Sequence, residues 1–152
     1  LKSANPVWTI PAERMKMRRE HLVPLSKQAV QILQQVAEIS GGDSLVFPGH
    51  NNPNKPMSKN TLLFAIYRMG YHSRATTHGF RSVASTILNE SEKWHPDAIE
   101  RQLAHVESNK VRAAYDRAEH FPERRRMMQW WADYLDSLLQ PADIIDLEKH
   151  RA

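Results

Sequence analysis

Two observations predict a mainly helical α+β domain with a small antiparallel β-hairpin at its N-terminal edge and no parallel sheet. Apolar residues recur at helical spacing from residue 26 onward, and only two or three short stretches read as strands. A length of 152 residues with 41% apolar content is enough for one ordinary core. Residues 1–140 read as that one domain and 141–152 as a charged tail.

The elements follow in order. Val7-Trp8-Thr9-Ile10 reads as a strand, closed by Pro11. His21-Leu22-Val23-Pro24-Leu25 reads as a second. Between them Arg14, Lys16 and Arg18 alternate with Met15 and Met17, and Arg19 follows. An extended chain would put the three alternating cations on one side, as a phosphate-binding finger. The plainer reading is solvated surface charge. Ser26 is placed to cap a helix over Lys27–Ile39, with Val30, Leu33, Ala37 and Ile32, Val36, Ile39 as its apolar stripe and Gly41-Gly42 as its end. Leu45–Pro48 reads as a strand or a buried strap, and Gly49–Pro56 as a turn-rich loop.

Ser58 should cap a helix to about Met69, with Leu62, Ala65 and Ile66 inward and Gly70 as the stop. Thr77 is the expected N-cap of a helix over His78–Asn89 that buries Val83, Ala84, Ile87 and Leu88. Pro96 suits the first turn of another helix, which buries Ile99, Leu103 and Val106. Asn109 to about Glu119 reads as a helix carrying Tyr115. Pro122 opens a long helix over Glu123–Leu139, with Met127, Trp130, Trp131, Tyr134, Leu135 and Leu138 available to the core. Arg124-Arg125-Arg126 reads as its solvated face.

Composition narrows the function. A net charge of +4 and a pI near 9.5 suit a nucleic-acid partner. With no cysteine, neither a disulfide framework nor a thiolate metal site is possible. His72, His95 and His120 lack ligand spacing, so no metal or other cofactor is expected. No stretch reads as a signal peptide or a membrane span.

The chemistry concentrates in Thr77-His78-Gly79-Phe80-Arg81, Leu103-Ala104-His105-Val106 and Tyr115. Arg81 can fork onto two phosphate oxygens. His78 and His105 can donate to a phosphate or move a proton. The Tyr115 hydroxyl can attack phosphorus. Taken singly, each has a plain alternative. His78 could bond backbone at a helix start, and Arg81 could pair with Glu100 and only tie two helices. His105 could be a satisfied core histidine, and Tyr115 an ordinary half-buried tyrosine.

The ordered set is more specific than its parts. His-x-x-Arg, then about two dozen residues, then Leu-x-His, then Tyr ten residues on resembles the active-site half of the tyrosine recombinases, the phage integrase family. That family usually reads Leu-Gly-His-Ser where this chain has Leu103-Ala104-His105-Val106, a departure that looks like the prophage-integrase branch. The resemblance covers about Val7 to Leu138 and implies an incomplete DNA breaking-rejoining fold. By resemblance, Tyr115 is the nucleophile, Arg81, His78 and His105 are catalytic, and Lys16 matches the family's hairpin lysine. Arg14, Arg18 and Arg19 are then DNA-binding.

The implied activity is site-specific DNA recombination and integration of a prophage or mobile element, without cofactor or metal. The implied partners are double-stranded DNA attachment sites in the bacterial cytoplasm. Self-association would run through the tail, where Ile144, Ile145 and Leu147 sit on a charged background. The family's other catalytic arginine lies upstream of the hairpin, and Leu1–Pro6 contain none. The chain therefore reads as a piece of a longer polypeptide, expected to be inactive alone. The alternatives are a catalytically inactive DNA-binding remnant and a topoisomerase of the same fold.

Overall fold

The computed structural model describes residues 4–40, 45–104 and 120–139. Gly41-Gly42, His105, Val106, the tyrosine helix with Tyr115, and the tail lie outside the described residues. Among those described, β1 (Val7–Ile10) and β2 (His21–Pro24) form a two-stranded sheet. Five α-helices follow: α1 (Lys27–Ser40), α2 (Thr61–Ile66), α3 (Thr77–Glu90), α4 (Pro96–Gln102) and α5 (Phe121–Ser137). The domain is mainly helical with a small antiparallel hairpin at its N-terminal edge, as expected.

The hairpin pairs Val7 with Pro24 and Ile10 with His21. Pro24 lacks an N–H, which an edge position of a two-stranded sheet tolerates. β1 is largely exposed, whereas His21 and Pro24 of β2 are buried, and β2 packs on α5. The connection between the strands is not extended. Ala12–Arg14 form a single 3₁₀ turn, and the Arg18 N–H donates to the Met15 carbonyl at 3.0 Å. Arg18 itself has a left-handed φ of 52°. Ten residues link paired strand ends here, so the chain coils and bonds to itself. The strict alternation of Arg14, Lys16 and Arg18 onto one side is therefore lost, although all three and Arg19 remain exposed.

Ser26 caps α1 as expected, its Oγ accepting from the Ala29 N–H at 3.2 Å. Leu45–Pro48 is a strap rather than a strand, but not a buried one, since Val46 and Phe47 are exposed. It makes one bridge, Pro48 to Pro56, and the Phe47 carbonyl accepts from the Met57 N–H at 3.0 Å. At Gly49 the backbone closes so tightly that a Cβ would lie 3.1 Å from the Asn52 carbonyl oxygen and 3.2 Å from that of Lys55. A side chain there would have to push two backbone carbonyls back by a few tenths of an ångström, so the close approach favours glycine. α2 is shorter than expected at both ends: it starts at Thr61 with Asn60 rather than Ser58 in the N-cap position, and a wider π-type turn, Tyr67–Tyr71, replaces its last turn. Gly70 sits inside that turn at φ 88°, the left-handed stop that its position suggested.

The core is Leu88 of α3, Ile99 and Leu103 at α4, and Met127 of α5, with Trp94, Trp130 and Trp131 packed against it. The helical stripes are only partly covered. Ile39 is 87% exposed and Leu62 51%, and Val83, Leu135 and Leu138 are exposed too, against expectation. The reason is arrangement: α3 meets α4, while α1 and α4 meet α5, so each helix covers only the side turned to a neighbour.

α1 is tied to α5 by a polar lattice. Gln28 Nε2 donates to Asp133 Oδ1 and to Asp136 Oδ2, each at 2.8 Å, and Gln129 Nε2 donates to Asp133 Oδ1 at 2.8 Å. Hydrogen bonds from Gln28 first, and Gln129 second, hold the Asp133 carboxyl below its usual value. A lowered folded-state value stabilises above the unfolded carboxylate pKa of about 3.9, and that contribution is lost as pH falls through the lowered value. The stability gap between the wild type and Asp133→Asn should therefore narrow as thermal unfolding is followed from neutral pH down through that window.

Candidate active site

The site is built on the start of α3. Thr76, in extended backbone, is the N-cap, and its Oγ1 accepts from the Gly79 N–H at 3.0 Å. The cap thus falls one residue before Thr77, which is the first helical residue. His78 takes the second position, within the first turn, where unpaired N–H groups and the helix dipole favour an anion. Arg81 follows three residues later on the same face. His78 and Arg81, with Ser82, Ser85 and Thr86, line one open cavity of about 290 Å³. The hydroxyls of Ser82, Ser85 and Thr86 were not singled out from the sequence. Their spacing from His78 is helical, so the signal was present in the order of residues.

Arg81 does two things. It lines the cavity, and its Nη2 donates to the carbonyl of Leu103. A guanidinium has five N–H donors in a fixed fork, so holding one carbonyl leaves donors for a phosphate. The alternative reading of Arg81, as a tie between two helices, is therefore also realised, through a backbone carbonyl. The tie fixes the turn that ends α4. Leu103 is buried in the core and Ala104 is exposed at φ 50°.

That φ explains what the Leu-x-His turn asks of its middle residue. A left-handed backbone suits glycine and costs an alanine about 1 kcal/mol or more. Ala104→Gly should accordingly raise the unfolding free energy by about 1 kcal/mol, less the entropy that glycine adds to the unfolded chain. Urea denaturation measures it directly.

Arg14, Lys16, Arg18 and Arg19 are on the hairpin connection and do not line the cavity. The hairpin reaches the site helices through α5, and Arg124 is the joint. It is fully buried, contrary to its reading as part of a solvated face. Its Nε donates to Gln102 Oε1 at 2.9 Å, and its Nη2 donates to the Leu22 carbonyl of β2. The guanidinium also lies over the Phe121 ring, 5.9 Å from its centroid. Spacing could have found it: Arg124 precedes the buried Met127 by three residues and shares its face. Arg126 is exposed, as the solvated-face reading required.

A hairpin docked on a helical domain, with a histidine and an arginine from the first turns of one helix lining a solvent-accessible cavity, defines the class: a mainly helical α+β domain. The chain belongs to the phage integrase family, whose model matches residues 1–120. Among its relatives, the integrase of Enterobacteria phage P4 is 50% identical over 145 residues, covering 86% of this chain and 33% of that protein. The prophage integrase IntA of Escherichia coli K12 is 51% identical over 126 residues, 83% of this chain and 30% of IntA. The integrase of Shigella phage Sf6 is 45% identical over 133 residues, 87% of this chain and 34% of that protein. The chain thus spans about a third of the length of these relatives. No solved structure gives a significant match. Among the described residues no helix is long and apolar enough to cross a membrane.

Proposed function

We propose that this chain is the catalytic segment of a tyrosine-type site-specific recombinase that integrates a prophage or mobile element. The observation that carries the reading is the shared cavity of His78 and Arg81, with Arg81 also gripping the Leu103 carbonyl two residues before His105. Donors that converge on one phosphate oxygen pair are what phosphoryl transfer requires, since positioning and electrostatics dominate it.

In the proposed reaction the Tyr115 hydroxyl oxygen attacks the scissile phosphorus. A P–O bond to Tyr115 forms, and the bond to the 5′-oxygen breaks. The tyrosine proton passes to His78, and Lys16 donates a proton to the leaving 5′-oxygen. Arg81 and His105 hold the non-bridging oxygens as charge builds on them. The product is a 3′-phosphotyrosyl link that conserves the phosphodiester. A 5′-hydroxyl of another strand can then attack it and restore Tyr115, with no nucleotide consumed. Arg14, Arg18 and Arg19 would contact flanking phosphates, with a salt-dependent contribution to affinity. In this reading residues 1–140 belong to the catalytic domain, and 141–152 are a docking tail for a neighbouring copy on bacterial DNA.

The test is a graft of this chain into phage P4 integrase in place of the matching segment. Incubation with a nicked DNA duplex should yield a denaturant-resistant protein–DNA adduct. A gel shift without adduct would mean a DNA-binding remnant. Relaxation of a supercoiled plasmid without strand joining between partners would mean a topoisomerase.

A further inference from the structure

Two histidines that sequence spacing kept apart meet in the fold. His95 is the N-cap of α4, and His120 is the residue from which α5 begins. Their rings stack with centroids 5.3 Å apart and an interplanar angle of 12°. Asp97 completes a set in which one ligand atom from each of the three residues lies within 4.8 Å of the others. His95 Nδ1 and Asp97 Oδ2 are 3.7 Å apart. Glu123 stands beside them, its Oε2 3.7 Å from His120 Nδ1.

We infer that His95, Asp97 and His120, with Glu123 as the fourth donor, bind a divalent transition-metal ion of the zinc type. Two imidazoles and two carboxylates are a donor set that such ions accept. Bonds of about 2.0–2.2 Å in a tetrahedron place ligand atoms about 3.3–3.6 Å apart. The pairs at 3.7 Å are close to that already, and within the set of His95, Asp97 and His120 the widest separation needs to close by about 1 Å, while Glu123 lies outside that set and joins it from the His120 side. Side-chain rotation supplies this, since His95 is exposed and His120, Asp97 and Glu123 are only half-buried.

The surroundings favour the site. The Glu123 carboxylate is oriented because its Oε1 accepts from the His95 N–H at 2.8 Å. His95 Nδ1 also accepts from the Asp97 N–H, at 3.2 Å, a long cap bond that an ion displaces at little cost. His120 has a left-handed φ of 45°, and its ring lies against that of His95 at the start of α4. The bound ion would join the residue that precedes α5 to the start of α4. By sequence, residues 105–119, with His105 and Tyr115, lie between those two anchors. The ion is thus a staple across the stretch that bears the proposed nucleophile, and it takes no part in the chemistry.

The test uses the full 152-residue chain and two probes, Zn²⁺ by titration calorimetry and Co²⁺ by visible absorption. One equivalent of Zn²⁺ should bind, and Co²⁺ should give the intense visible band of a low-coordinate site. The variant His95→Asn/His120→Asn removes both imidazoles and suits the backbone. Asparagine is a good N-cap and tolerates a left-handed φ. Its affinity should fall by about a hundredfold, nearly 3 kcal/mol. The control His50→Asn/His72→Asn should bind as the wild type does.

Absence of stoichiometric binding, binding retained by the first variant, or binding lost in the control would each overturn the site. Should the first variant fail to fold, the wild type still decides. Substoichiometric Co²⁺ should broaden the ring-proton resonances of His95 and His120 before those of any other histidine. Broadening that starts elsewhere would refute the assignment.

Discussion

Arg81→Ala, in the phage P4 integrase graft, should slow formation of the covalent DNA adduct by about 10²–10³-fold, the usual cost of removing one preorganised donor to a developing oxyanion. DNA affinity should change far less, because many phosphates contribute to binding and Arg81 addresses one. The same substitution frees the Leu103 carbonyl, so a modest loss of thermal stability should accompany the kinetic loss. Arg81→Lys separates the two contributions. A lysine keeps the charge but not the planar fork, and cannot hold the carbonyl and two phosphate oxygens together. Its rate should fall between those of the wild type and the alanine variant. Single-turnover kinetics on a nicked duplex read all three. An unchanged rate in Arg81→Ala would place the phosphate elsewhere.

Arg124→Ala should lower the unfolding free energy by about 3–5 kcal/mol, enough to unfold a marginal domain. The side chain is fully buried and bonds the Leu22 carbonyl and Gln102 Oε1. Truncation leaves those acceptors without that donor in the interior, each at about 1–3 kcal/mol, and adds a cavity. Arg124→Met restores the volume but not the hydrogen bonds, so it should recover part of the loss. Because β2 is one end of the network, the hairpin that carries Lys16 should loosen first. Hydrogen exchange at the β1–β2 amides would show this as faster exchange than in α3. A change within about 0.5 kcal/mol, the range of surface substitutions, would contradict the buried joint.

The elements that sequence reasoning placed correctly are those whose cause is local. Ser26 caps α1 and Gly70 takes the left-handed turn because each acts on its own neighbours. Met127, Trp130 and Trp131 reached the core because a helical stripe names a face without naming the partner. The larger failures lie where a non-local choice decides, whereas local misses, such as the α3 cap at Thr76 rather than Thr77, shift an element's start by a residue or a few. Leu62, Val83 and Leu138 belong to apolar stripes, yet no rule of spacing says which half of a stripe a neighbour will cover. Arg124 looked like its two arginine neighbours, and only the position of β2 makes it interior.

The site was legible in the same uneven way. His78 and Arg81 share a cavity as their spacing required, since one helix carries both. The Arg81 bond to Leu103 spans two helices and could not be read from either. The cationic alternation of Arg14, Lys16 and Arg18 failed because a long connection coils. His95 and His120 met because α4 and α5 begin side by side, a fact of packing that sequence separation conceals.

The proposed reaction turns on neutralisation of the scissile phosphate by Arg81. It is tested most directly by giving the graft a DNA whose scissile phosphate is a methylphosphonate, which carries no negative charge. With nothing to neutralise, Arg81→Ala should lose most of its penalty. The gap to wild type should shrink from about 10²–10³-fold to about tenfold or less, the remainder reflecting the lost tie to Leu103. A penalty of the same size on charged and uncharged substrates would contradict the claim and leave Arg81 as a structural tie alone.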